Sequence, residues 1–435
     1  MFPTQRPPAA SPKPWWVAFV AGMASYIDAA AITASGVALV IYQDVYGLTA
    51  ANVGVLSALL TSFIGVGAIV GGRVGDRWGR KRVFVATMVM IAVGAALLVF
   101  GRDFTLLVVG SCLIGFGTGA DLPVSLATVA EAAAQDNRGK LLGFSQILWK
   151  LGVLGSLGLS ALVGDHGLIG GQILYGHIGV VALVVLVLRL GIPESADWRR
   201  AALARSAHRE DPSTQPKASL RELLRPPYAH SFAALLIFYM FTNLAANTNG
   251  QFGTYLMVNV AGMPVSTQAT ITLIGNPIGI ALGFLFMRTV DGPNRMKWFY
   301  FGATMGVVAM AIPAVFGVTF VTLLIKSLLV YFFYGFAFEA IMKVWAQESF
   351  PTLLRSTGQG TIIAAGRFGA AALAGVTPWI VEQGPRYLFV FLTVAILLGV
   401  TAAALVFGRR GHHTEFDEPA PEPAPAPAPA ATSAD

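Results

Sequence analysis

Ionisable side chains recur inside long apolar runs of this 435-residue chain: Asp28, Asp121, Lys150, Glu339, Lys343 and Arg367. Stripping water from a carboxylate favours its protonated form, and a neighbouring cation reverses that preference. Asp28, Asp121 and Glu339 therefore suit reversible proton binding. Lys150, Lys343 and Arg367 suit contact with an anionic group, which Arg can grip with two hydrogen bonds. The stretch FYMFTNLAANTNGQFGTYLMV adds Asn243, Asn247, Asn249, Gln251 and Tyr255, types that hydrogen-bond hydroxyls and carboxylates, and Gln146 and Trp149 lie beside Lys150. A bland reading stands next to each. Asp121 with Lys150, or Glu339 with Lys343 one helical turn away, forms a permanent ion pair that orders the bundle; the amides act as glue between helices. Arg189 and Lys326 also fall inside apolar runs and receive no role at this stage.

Metal and cofactor chemistry find no support. Cys112 is the single cysteine, and His177 and His230 stand apart from carboxylate partners. Gly115, Gly117 and Gly119 do not follow a strand as a dinucleotide fingerprint requires, so they read as a small-residue packing stripe. Without a phosphate-binding loop or a nucleophile and base motif, neither ATP hydrolysis nor another enzymatic reaction is expected.

The elements that position these residues follow from bulk properties. The chain is 55% hydrophobic and 12% charged, with mean hydropathy +0.67, whereas a soluble domain gives about a quarter of its residues to charge. Apolar runs of roughly 20 residues fill its length. Twelve spans are expected, near 15–41, 52–75, 83–101, 104–128, 141–163, 170–191, 229–258, 265–290, 297–317, 319–345, 358–382 and 386–408. Each must be helical, because lipid offers no partner to an open backbone. The net charge of +7 sits in loops between spans, which argues against a nucleic-acid face. Lys and Arg crowd the loops after spans 2, 4, 6, 8 and 10, while Arg102 and Arg386 lie opposite. That asymmetry places both termini in the cytoplasm of a multi-pass protein of a cytoplasmic (inner) membrane. Residues 1–14 read as a tail, 15–191 and 229–408 as two six-helix bundles, 192–228 as their linker, and 409–435 as a disordered Pro/Ala tail.

The two halves repeat each other. Asp76 and Arg80 recur as Asp291 and Arg295, 215 residues on; Glu131 and Arg138 recur as Glu348 and Arg355, 217 on. Lys150 answers Arg367 at 217, and Asp121 answers Glu339 at 218. At about 1.5 Å per helical residue, Asp28, Asp121, Lys150, Glu339 and Arg367 all fall near mid-bilayer. Ionisable groups there cost about 2.5–3.5 kcal/mol each, so they mark a pathway or a partner. Parallel repeats with a polar midplane are a carrier plan.

The segment Gly71-Gly72-Arg73-Val74-Gly75-Asp76-Arg77-Trp78-Gly79-Arg80-Lys81-Arg82 closely resembles the loop 2–3 signature of the major facilitator superfamily. Glu131 with Arg138-Gly139, Glu348-Ser349-Phe350-Pro351-Thr352 with Arg355, and Pro193-Glu194-Ser195-Ala196-Asp197-Trp198 resemble further signatures of its sugar and organic-ion branches. The resemblance implies an all-α membrane protein of two pseudo-symmetric six-helix bundles, with spans 1, 4, 7 and 10 lining a central site. It also implies that Gly72, Asp76, Arg77, Gly79, Arg80, Glu131, Arg138, Asp291, Arg295, Glu348 and Arg355 gate one face. Span 7 lacks the paired glutamines of sugar porters, and Asp121-Leu122-Pro123-Val124 with Ala364-Ala365-Gly366-Arg367-Phe368-Gly369 is similar to the organic-ion branch. The expected function is a monomeric proton-coupled symporter importing a small polar metabolite, either an organic acid or a sugar or polyol. An efflux antiporter and a non-transporting membrane receptor are the competing expectations.

Overall fold

The computed structural model describes residues 12–134, 137–164, 166–207, 220–256, 260–261 and 265–408. The tail 409–435, most of the first tail and residues 208–219 of the linker lie outside them. The described chain forms helices α1 Pro14–Tyr46, α2 Ala50–Trp78, α3 Arg80–Phe100, α4 Phe104–Ala132, α5 Arg138–Val163, α6 Leu168–Leu190, α7 Ala196–Ala207 and α8 Leu220–Leu223. It continues with α9 Ala229–Tyr255, α10 Val265–Thr289, α11 Arg295–Phe316, α12 Phe320–Phe336, α13 Glu339–Ser349, α14 Arg355–Gln383 and α15 Pro385–Phe407.

Ends are set by local chemistry. Thr49 accepts from the Asn52 amide and Asp103 from the Thr105 amide, satisfying first-turn donors of α2 and α4. Thr319 and Thr322 cap each other reciprocally at the start of α12. Among the described residues, ten stretches are long and apolar enough to cross a membrane, counting Phe320–Ser349 as one. The helices α10 and α14 occupy the two remaining expected spans. Val180, Leu183, Val184 and Val187 on α6, and Val390, Val394, Leu397 and Leu398 on α15, form exposed apolar stripes at helical spacing. Such faces belong in lipid.

In the first half, α1 packs on α4, α5 and α6, α2 on α4, and α3 on α4 and α6; in the second, α9 packs on α14 and α15, and α12 on α10 and α11. The halves meet along α2 with α14 and α5 with α10. Close approach explains the glycine stripe: a Cβ on Gly117 would lie 2.7 Å from an Ile91 side-chain carbon, and one on Gly115 or Gly119 would run into the backbone of α2.

One expectation needs correction. The tenth span, expected to be continuous over 319–345, breaks at Ala337 and Phe338, whose φ/ψ of −132°/30° and −132°/−125° are not helical. The Phe338 ring stacks on Tyr239 at 5.8 Å and packs against Phe333 and Tyr334. Hydropathy passes over the break because aromatic packing, not polarity, fills it. Glu339 thereby becomes the first residue of α13, where the helix dipole favours a carboxylate. The linker carries α7, whose Trp198 indole donates to the Asp76 carbonyl at 2.9 Å.

A charged midplane and a latched basic face

Three charge clusters organise the site. The first joins the two halves. Asp28 on α1, fully buried, pairs with Arg367 on α14 at 3.2 Å and accepts from the Trp149 indole of α5 at 3.2 Å. Beside it Glu339 pairs with Lys343 at 2.9 Å, the one-turn pairing open in the sequence. Gln146 and Tyr239 flank the Glu339 carboxylate, and Tyr239 also lies within the field of Arg367 and Asp28. Two ion pairs thus run side by side through the midplane. Tyr239 was missed by sequence reading; its place one turn before Asn243 on an inward face was the available signal.

Asn243 is buried and accepts from the Asn247 amide. Lys150 reaches across to α10, where a Cβ on Gly279 would lie 2.5 Å from its Nζ. Asn249 faces elsewhere, accepting from Lys326 of α12. The side chains of Gln251 and Tyr255 lie outside the described residues.

The second cluster lies wholly within the first half. Asp121 pairs with Arg189 of α6, not with Lys150 as the bland reading held. The Thr87 and Ser125 hydroxyls both donate to Asp121, at 3.0 and 3.3 Å. Arg189 also donates to the Ala21 carbonyl at 3.1 Å and lies 4.3 Å over the Phe84 ring. Both charged side chains are 1% exposed, so Asp121 is sealed among α1, α3, α4 and α6 instead of facing the centre. Arg189, near the end of its span, turns inward. Asp121→Ala is expected to lower stability by about 3–5 kcal/mol, because it strands Arg189 without a counter-charge. Denaturant unfolding in micelles would measure this. A variant Asp121→Asn of normal stability that loses only proton coupling would refute the structural assignment.

The third cluster ties the two halves together at the basic face. Asp76 accepts from the Ser356 and Thr357 amides at 3.3 and 2.6 Å, capping α14 from the opposite half. Asp291 does the same for α5, accepting from Gly139 and Lys140 at 2.8 and 2.9 Å. Arg80 pairs with Asp76 at 2.7 Å and Glu131 at 2.8 Å and donates to the Thr352 carbonyl at 2.9 Å. Arg355 reaches Glu131 at 3.4 Å, and Arg295 grips Glu348 with two bonds of 2.7 and 3.0 Å. Arg138 donates to the Ala130 carbonyl at 3.3 Å.

Gly72 lets α2 touch α14, since a Cβ there would run into the Ser356 carbonyl. Gly79, at φ 99°, turns the chain where a side chain would meet Glu194, whose carboxylate accepts from the Arg80 amide at 2.9 Å. Arg77, also expected to gate, lies exposed. Burial pushes the Asp291 carboxyl above the ordinary carboxylate range, outweighing the bonds from Gly139 and Lys140 and the nearby Arg295. The arrangement seen here therefore holds this proton more tightly than a solvated Asp291 would.

A family profile described as Major Facilitator Superfamily matches residues 15–374. The chain is 32% identical over 392 residues to the minor myo-inositol transporter IolF of Bacillus subtilis, covering 89% of this chain and 88% of that protein. It is 29% identical over 407 residues to a gallate transporter of Pseudomonas putida, covering 85% of each. The proton:xylose symporter XylE superposes with a TM-score of 0.74 at 16% identity, covering 91% of this chain and 96% of that one. With a repeat of six spans, a midplane of charges and a latched face, this multi-pass membrane protein belongs to the Major Facilitator Superfamily.

Proposed function

We propose that the protein imports a small polar metabolite together with protons by alternating access, with the basic face and both termini in the cytoplasm of a bacterial-type inner membrane. One observation carries the reading: the Asp28–Arg367 pair bridges the halves at the midplane, where opening on either side must act on it. Protonation of Asp28 removes its charge and frees Arg367, and Glu339 stands close enough to take up part of that charge. A proton at this point weakens the tie between the bundles. The latch at the basic face supplies the second requirement, a set of contacts that holds in one state and breaks in the other. Both halves of the site lie on one chain, so the working unit is a monomer. The amides of Asn243, Asn247 and Gln146 suit hydroxyl-bearing cargo, and Lys150 suits an organic acid. An inositol carrier and a gallate carrier among the relatives support both classes.

The test is uptake by proteoliposomes under an imposed pH gradient, acid outside. Accumulation of a polar metabolite that collapses with a protonophore is the expected result. Accumulation that a protonophore leaves intact sinks the coupling, and export from inverted vesicles would favour the antiporter.

A further inference from the structure

The Asp28–Arg367 pair has an incomplete counterpart in the other half. Asn243 stands 215 residues after Asp28, and Arg367 stands 217 after Lys150, the same offsets that relate Asp76 to Asp291 and Glu131 to Glu348. The position mirroring the Asp28 carboxylate therefore holds an amide, and the position mirroring Arg367 holds a lysine.

Lys150 lies at the second seam between the halves, α5 against α10, as Arg367 lies at the first. Gly279 leaves the space its amine occupies. Arg367 and Lys343 have carboxylates, whereas among the described residues Lys150 enters no ion pair. The sequence has no Asp or Glu in 223–290 or 292–338, so spans 7, 8 and 9 and the first part of span 10 cannot provide one. An ammonium at this depth calls for a counter-charge.

We infer that the cargo supplies it: the substrate is a small hydroxylated carboxylate whose carboxylate rests on Lys150 and whose hydroxyls meet the neighbouring amides. This rests on the carrier reading above and narrows its substrate class. Binding then completes the symmetry of the midplane, one ion pair on each seam.

The experiment uses the full chain and matched probes: D-gluconate and D-glucuronate against neutral myo-inositol and D-glucitol. At least one anion is expected to raise the unfolding temperature and to be taken up, with the neutral compounds at least tenfold weaker. Lys150→Gln should raise the KM for the anion at least tenfold. Asn243→Asp, which builds the missing carboxylate into the protein, should block anion binding more strongly while the empty protein unfolds no earlier than wild type. A panel in which only neutral compounds act, or none does, overturns the inference, as does an anion KM within twofold of wild type in both variants. Lys150-dependent anion binding without uptake under any gradient would instead uphold it and sink the carrier reading.

Discussion

Asp28→Asn is expected to lower pH-driven accumulation by at least about 100-fold while leaving exchange of substrate across the membrane measurable. The amide keeps the size of the side chain and can still accept from Trp149, but it cannot release a proton or neutralise Arg367. Removing one partner of a buried pair costs about 3–5 kcal/mol because the other charge is left in low dielectric. An energy of that size, placed on the tie between the halves, redistributes the states by roughly two to four powers of ten. Arg367→Gln should fail in the same assay for the mirrored reason. The double variant Asp28→Asn with Arg367→Gln should recover thermal stability, since no lone charge remains, without recovering accumulation. That split separates coupling from folding. If Asp28→Asn accumulates substrate as wild type does, the cross-bundle pair is not the coupling device.

Asp76→Ala is expected to open the basic face. It removes the acceptor for two backbone amides at the start of α14, a capping role worth about 0.5–2 kcal/mol, and deprives Arg80 of one of its two carboxylates. Together these should shift the equilibrium between latched and open states by about 2–4 kcal/mol, roughly 30- to 1000-fold. In a Cys112→Ser background, a cysteine at Ser356 lies buried beneath the latch. Its maleimide labelling should accelerate at least tenfold in the Asp76→Ala protein. Gly72→Val should act in the same direction by forcing α2 away from the Ser356 carbonyl. Labelling at the wild-type rate in both variants would show that these contacts do not hold the face shut. Asp291→Ala should open the face less, because burial already offsets much of what its hydrogen bonds contribute.

The charged residues of the basic face stood out in the sequence because they lie at short, repeated spacings at helix ends. Asp76 with Arg80 and Arg295 with Glu348 could be anticipated; that Asp76 caps α14 and Asp291 caps α5 could not. At the midplane, sequence singled out Asp28, Glu339 and Arg367 by the cost of burying charge, and it singled out Asp121 for the same reason. It could not separate them. Asp121 is sealed against Arg189 inside one half, whereas Asp28 bridges both, and nothing local to either residue records the difference.

What the sequence alone determined was the set of elements and their symmetry: helices, because lipid permits little else, and two related halves, because charges recur at matching positions. Tertiary structure decided who partners whom, where span 10 breaks and which charge lacks a mate. The reason is range. A helix is specified by contacts within a few residues, but a buried charge is satisfied only by a group within a few ångströms, and which side chain arrives there depends on how distant helices rotate and pack.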